Sequence, residues 1–209
     1  MNEEQIKKCD IQINGKSIPF NYFYKFSDKG KHSIRYSFNQ LITKANYLFN
    51  GCCSLININV SFFNTENITD MECMFCECSS LTFLDLSSFN TSNVKNMSHM
   101  FCDCTSLKNI NLSTFDTRNV TLMTCMFENC KSLTNLNLSN FNTQNVTNMY
   151  SMFCDCIGLT YLNLSNFNLQ NITDIDDLDD IFEGCYSLKN ENIITSDSKI
   201  LFHISIFVR

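Results

Sequence analysis

The sequence predicts an α/β repeat solenoid, a right-handed stack of about five to six 26-residue units, each one strand plus one short helix, behind an N-terminal β-hairpin cap. Three observations predict it. Leu55, Leu81, Leu107, Leu133 and Leu159 stand 26 residues apart. The letters between them recur in register, as residues 81–106 (LTFLDLSSFNTSNVKNMSHMFCDCTS) and 133–158 (LTNLNLSNFNTQNVTNMYSMFCDCIG) show. Within each unit the spacing of apolar residues changes from two to three or four, the mark of a strand followed by a helical turn.

Residues 1–44 read as the cap. IQI, the turn Asn14-Gly15, SIPFNYFYKF, the turn Asp28-Lys29-Gly30 and HSIRYSF make a pattern of consecutive hairpins. Residues 45–187 read as the solenoid. They open with a partial unit in which Leu48, Phe49 and Cys52 stand where Met152, Phe153 and Cys156 stand later. Taking residues 133–158 as the type, Leu136 and Leu138 point to one face of a short strand, and Asn135, Asn137 and Ser139 to the other. Val146, Met149, Met152 or Phe153, and Cys156 then follow at helical or 3₁₀ spacing, with Thr143 and Asn145 as capping residues before them. One unit cannot cover its own apolar face, so strand must stack on strand at about 4.8 Å. The column Phe63, Phe89, Phe115, Phe141 and Phe167 is expected to be core. The last unit carries three extra residues before Leu188. Residues 188–209 read as a C-terminal cap or tail, with ILFHISIFVR as a strand that closes the final rung or leaves an adhesive edge.

Composition narrows the function. The net charge is −6 and the 15 Lys and Arg are scattered, which argues against nucleic acid as a partner. No run approaches the roughly 20 apolar residues of a membrane span, and MNEEQIKKCD does not read as a secretory signal. Of the three histidines, His32 falls in the cap, His99 in a repeat and His203 in the tail, and none has a nucleophile motif beside it. No Gly-rich phosphate loop is present, so neither catalysis nor a cofactor is expected.

Several residues that could carry chemistry fall into columns of the repeat. Cys52, Cys78, Cys104, Cys130, Cys156 and Cys185 occupy an inward position, where free cysteine acts as a small buried hydrophobe and stacked disulfides are the alternative. Cys73-x-x-Cys76 on one rung faces His99-x-x-Cys102 on the next, four soft donors with the types and spacing of a tetrahedral zinc site. Asp174, Asp176, Asp177, Asp179 and Asp180 form an acidic loop that lacks the turn Gly and the position-12 Glu of a calcium-binding EF-hand. Asn67, Asn93, Asn119, Asn145 and Asn171 suit an inward ladder whose amides bond the loop backbone, and the sequons they begin recur because the repeat recurs.

The phrase L-x-x-L-x-L-S-x-F-x-T-x-x-V-x-x-M-x-x-M-F-x-x-C, running through residues 45–188, resembles the repeat of BspA-like leucine-rich-repeat proteins. That resemblance implies a leucine-rich-repeat-like fold and a non-catalytic surface protein that binds protein or glycan partners in adhesion or host contact. It implies a cell-surface or extracellular location, although no anchor is visible. The expected binding face is the outward, concave side of the strands: Asn57 and Asn59, Phe83 and Asp85, Asn109 and Asn111, Asn135 and Asn137, Tyr161 and Asn163. Phe83 and Tyr161 are its aromatic anchors. Two other readings remain open: a structural element that self-associates through its ends, and a zinc-binding interaction module on Cys73, Cys76, His99 and Cys102.

Overall fold

The computed structural model describes residues 9–19, 24, 27, 30–38 and 41–207. Strands β1 (Cys9–Ile13), β2 (Lys16–Ile18) and β3 (Ile34–Phe38) form an antiparallel sheet in the order β2-β1-β3. β1 and β2 are joined by Asn14 and Gly15, both at positive φ (51° and 79°), the geometry of a tight two-residue hairpin turn. Asn14 also ties the far edge, because its side-chain oxygen accepts from the Ser33 amide at 3.0 Å and its own amide N–H donates to the Ser33 carbonyl at 2.8 Å. β3 pairs with β1 rather than with β2, so among the described residues β1 and β2 are the one pair of consecutive strands joined as a hairpin. Asp28 and Lys29 of the second expected turn lie outside the described residues. Cys9, Ile11 and Ile13 bury one face of the sheet, and Phe38 bridges it to the main core.

The expected right-handed solenoid of strand-plus-short-helix units is not what forms. Most of the repeat region is turn and extended coil, and no helix occurs in the described residues of the repeats before Ile175. Leu-x-Leu segments become strands only late in the chain, as β4 (Asn135–Asn137) and β5 (Tyr161–Asn163), which with β6 (Ile193–Ile194) make a second three-stranded sheet, parallel and in the order β4-β5-β6. Earlier units keep the alternating burial, with Leu84 and Leu86 inside and Phe83 and Asp85 outside, but not the strand. The concave strand face therefore has no continuous sheet to carry it.

The 26-residue period is spent instead on a ladder of single bonds between turns. Isolated parallel bridges link Lys44 to Asp70, Asp70 to Asn96, Asn96 to Leu122 and Leu122 to Asn148. Beyond each bridge, alternate amides donate to the next unit: Met71, Cys73, Phe75 and Glu77 to the carbonyls of Asn96, Ser98, Met100 and Cys102, at 2.8–3.0 Å. Met97, His99, Phe101 and Asp103 repeat this on the following unit. The intervening amides close turns within the unit, Met74 to Met71, Cys76 to Cys73 and Cys78 to Phe75, each about 3.2 Å. An α-helix cannot do this, because it points every amide back along its own axis. Two left-handed residues per unit redirect the backbone: Cys73, His99, Cys125 and Ser151 at one position, and Glu77, Asp103, Asn129 and Asp155 at the other, all with φ between 52° and 59°. Gly51 and Gly184 fill the second position at the two ends, where glycine carries no steric penalty. Successive three-residue turns reproduce the apolar spacing of a helix without being one.

Side chains complete the ladder. The buried hydroxyls of Thr65, Thr91, Thr117 and Thr143 each donate to the carbonyl, and accept from the amide, of Asn90, Asp116, Asn142 and Asn168 on the next unit. Thr143 is thus a rung, not a helix cap, and so is Asn145, whose amide donates back to the Arg118 carbonyl at 2.7 Å. Asn93, Asn119 and Asn171 do the same one unit back at 2.7–2.8 Å, but from exposed positions, so this ladder runs along the surface rather than inside. Phe75, Phe101, Phe127, Phe153 and Phe182 stack as nearly parallel rings 5.5–6.1 Å between centroids, and Phe49 extends the stack at 5.4 Å. That column is more continuous than the one through Phe63 and Phe89, whose rings tilt by 42°.

The ends close differently from expectation. Three extra residues widen the stretch of sequence spanned by the last interunit bonds, Met149 to Asp177 and Phe153 to Ile181, without changing their distances, and a 3₁₀ turn over Ile175–Leu178 accommodates them. The tail is not a strand: Ser198–Phe207 forms helix α1, burying Ile200, His203 and Ile204 at helical spacing. Asp197 accepts from the amides of Lys199 (2.9 Å) and Ile200 (3.3 Å) as a helix N-cap, and from the amide of Leu169 at 2.9 Å, the residue that stands at the threonine position of the last unit.

Candidate functional site

Two surfaces gather the residues singled out above. The first is the polar face along the Leu-x-Leu segments. Asn57, Asn59, Phe83, Asp85, Asn109, Asn111, Asn135 and Asn137 are exposed, and Tyr161 and Asn163 half-buried. Half of these side chains shape the local backbone. Asn59, Asp85, Asn111, Asn137 and Asn163 each accept from the amide two residues on, Ser61, Ser87, Ser113, Ser139 and Ser165, at 2.9–3.1 Å. These bonds turn the chain out of each segment. Those made by Ser87 hold the Asp85 carboxyl below the usual carboxylate range, so it stays charged. The other column, Asn57, Phe83, Asn109, Asn135 and Tyr161, faces outward at one residue per unit. Between its first two members lies a shallow groove of about 420 Å³, lined by Asn57, Asn59, Val60, Phe83, Asp85 and Ser87. Phe83 is 59% exposed there.

The second is a thiol-rich ridge over the left-handed turns, in which Cys73, Cys76, Cys102 and Cys125 are buried and His99 and Glu128 are half-buried. The side chains of Cys73, Cys76 and Cys102 pack together with Tyr47 beside them. The expected quartet is brought together only in part, since His99 and Cys102 share their closest cluster with Glu128, all three donor atoms lying within 4.8 Å of one another. Glu128 belongs to the unit after the quartet, at a position that spacing alone does not single out. Burial pushes the Cys73 thiol up to about 12, and the Tyr47 hydroxyl, donating to Glu72 at 3.1 Å, is raised chiefly by that bond. Contact between Cys76 and Cys102 separates the pair, holding Cys76 below the ordinary thiol range and Cys102 above it.

The inward cysteine column is chemically quiet. Cys78, Cys104, Cys130, Cys156 and Cys185 are free thiols that donate to the carbonyls of Phe49, Phe75, Phe101, Phe127 and Phe153 at 3.0–3.2 Å. In the acidic loop, Asp174 accepts from the Asp176 amide, Asp177 from the Asn148 side chain and Asp180 from the Tyr150 hydroxyl. Among the described residues no helix is long and apolar enough to cross a membrane.

Residues 20–134 and 104–201 match a family described as Mycoplasma protein of unknown function, DUF285, and together they span most of the chain. The chain belongs to this family. Both matches run through the 26-residue units, so DUF285 is met here as a repeat family, one copy of the match overlapping the next across residues 104–134. No curated protein and no solved structure matches this DUF285 chain.

Proposed function

We propose that this chain is a non-catalytic binding module for protein or glycan partners, in adhesion or cell-surface contact, as its resemblance to BspA-like leucine-rich-repeat proteins implies. The observation that carries the reading is the outward column Asn57, Phe83, Asn109, Asn135 and Tyr161. It places an amide, able both to donate and to accept, on three of five units and an aromatic ring on the other two. A row of amides at regular spacing offers paired hydrogen bonds to an extended peptide or to sugar hydroxyls, and an exposed aromatic ring gives the apolar contact that anchors them. Asp85 adds one fixed negative charge beside the Phe83 groove.

The test is binding of the labelled full chain to a panel of immobilised glycans and extracellular-matrix proteins. F83A and Y161A together are expected to cut affinity at least tenfold, about 1.4 kcal/mol, while F83A alone leaves stability within about 0.5 kcal/mol of the parent. Undiminished binding by the folded double variant overturns the assignment of the face. A second reading, self-association with another copy, is favoured by Leu201, Phe202 and Ile206, which are exposed along α1. Sedimentation of the chain with and without residues 200–209 distinguishes it, because a strict monomer in both forms excludes it.

A further inference from the structure

The thiol ridge has a regular construction that the binding reading does not use. On each unit a left-handed residue and the residue three later are clasped by one backbone bond: Cys76 to Cys73, Cys102 to His99, Glu128 to Cys125, Cys154 to Ser151 and Glu183 to Asp180, at 3.0–3.2 Å. These ten positions therefore project as two adjacent columns, and nine of them carry Cys, His, Asp or Glu. Units register at the same place, since the Asp103 amide donates to the Glu128 carbonyl at 2.9 Å and the His99 amide to the Thr124 carbonyl at 2.8 Å. His99 and Cys102 are thereby held on one turn and Glu128 on the next.

We infer that His99, Cys102 and Glu128 form a binding site for one zinc-class divalent cation that clips two neighbouring units together. Their donor atoms, one nitrogen, one sulfur and one oxygen, already lie within 4.8 Å of one another. Ligands around a tetrahedral zinc with bonds of about 2.0–2.3 Å sit about 3.3–3.7 Å apart, so side-chain rotation over about 1 Å closes the shell. One thiolate and one carboxylate neutralise the charge of the cation, and three protein ligands leave the fourth position open to water, as in exchangeable zinc sites. Mixed nitrogen, sulfur and oxygen donors select zinc or cobalt over magnesium and calcium, which take oxygen alone. The Cys102 sulfur lies 3.5 Å from an Asp103 carboxylate oxygen and 3.6 Å from a Glu128 one, so its single S–H proton has two alternative acceptors. Binding replaces that proton: the S–H bond breaks, the metal–sulfur bond forms, and one proton leaves to solvent. This site is independent of the polar face, so failure of either assignment leaves the other standing.

The experiment is titration of the reduced, metal-stripped full chain with cobalt and then zinc. One equivalent of cobalt is expected to bring up a thiolate-to-metal charge-transfer band and the intense visible bands of tetrahedral cobalt, both lost on adding zinc, with release of one proton in weak buffer. His99→Ala and Glu128→Gln each remove a ligand and weaken cobalt binding by at least the roughly 10–100-fold that loss of an outer-shell partner costs. Both side chains are partly exposed, so the variants keep the fold, which thermal melts without metal check. Cys53→Ser, at an exposed cysteine away from the ridge, leaves binding unchanged. Less than about a tenth of an equivalent bound overturns the site, and so does affinity that ignores H99A and E128Q, which would mean adventitious capture by the other thiols.

Discussion

Replacing Thr117 with valine removes one oxygen and changes almost nothing else in shape, yet it should be among the most damaging conservative substitutions in the chain. Thr117 is 1% exposed. Its hydroxyl donates to the Asn142 carbonyl at 2.9 Å and accepts from the Asn142 amide at 2.8 Å, joining two units with a closed pair of bonds. Valine strands both backbone groups. A buried donor or acceptor left without a partner costs about 1–3 kcal/mol, and Asn142 is half-buried, so water recovers part of that. The expected loss is about 2–4 kcal/mol, a fall in Tm of roughly 4–16 °C for a chain of this length. Thr117→Ser keeps both bonds and loses one methyl, about 1 kcal/mol. Urea unfolding in the presence of reductant, followed by circular dichroism, gives both midpoints. A valine variant within about 0.5 kcal/mol of the parent, or a serine variant as damaged as valine, would refute the claim that the hydroxyl joins the units.

Alkaline pH should loosen the core through the inward thiols. Burial pushes Cys104 and Cys185 up to about 12 from an ordinary 9.0, so the folded state holds these protons more tightly than the unfolded chain does. That stabilisation is complete below about pH 8 and is lost as pH rises from about 9 toward 12, so the urea midpoint should be level between pH 7 and 8 and fall steadily above 9. A level midpoint up to about pH 10.5 would contradict the buried column. At the other end of the chain, Asp197→Ala should cost about 1–2 kcal/mol and speed amide exchange throughout α1, whereas Asp197→Asn keeps most of the cap. Unchanged exchange in the alanine variant would show that α1 stands without it.

What the letters reveal here is side-chain periodicity, and what they conceal is which way the backbone turns. The unit length and the buried columns of leucine, methionine, phenylalanine and cysteine are legible because burial depends only on spacing. Helix and stacked turn share that spacing, and the residues that decide between them are the left-handed ones. Asn129, Asp155, Gly51 and Gly184 announce a left-handed backbone by their chemistry, but Cys73, Cys125 and Glu77 do not. The signal lies in the column as a whole rather than in any one unit. In the tail, β-branched composition suggests a strand, while Ile200, His203 and Ile204 at helical spacing behind Asp197 carry the better evidence. At the ridge, His99 and Cys102 are legible by type. Glu128 is not, because its partnership with them exists only through stacking.

Because threonine hydroxyls, asparagine amides and alternate backbone amides all bond outside their own unit, the interior is written as joints between copies. Every joint between Lys44 and Asn148 presents the same backbone donors and acceptors. An in-frame duplication or deletion of one whole unit therefore regenerates a joint the protein already makes, and the array can grow or shrink by whole units in descent without redesign. An insertion of any other length must be accommodated locally, as the three extra residues of the last unit are by the 3₁₀ turn over Ile175–Leu178. Length variation among related chains should accordingly come in steps of 26 residues, with the two capped ends carried along unchanged.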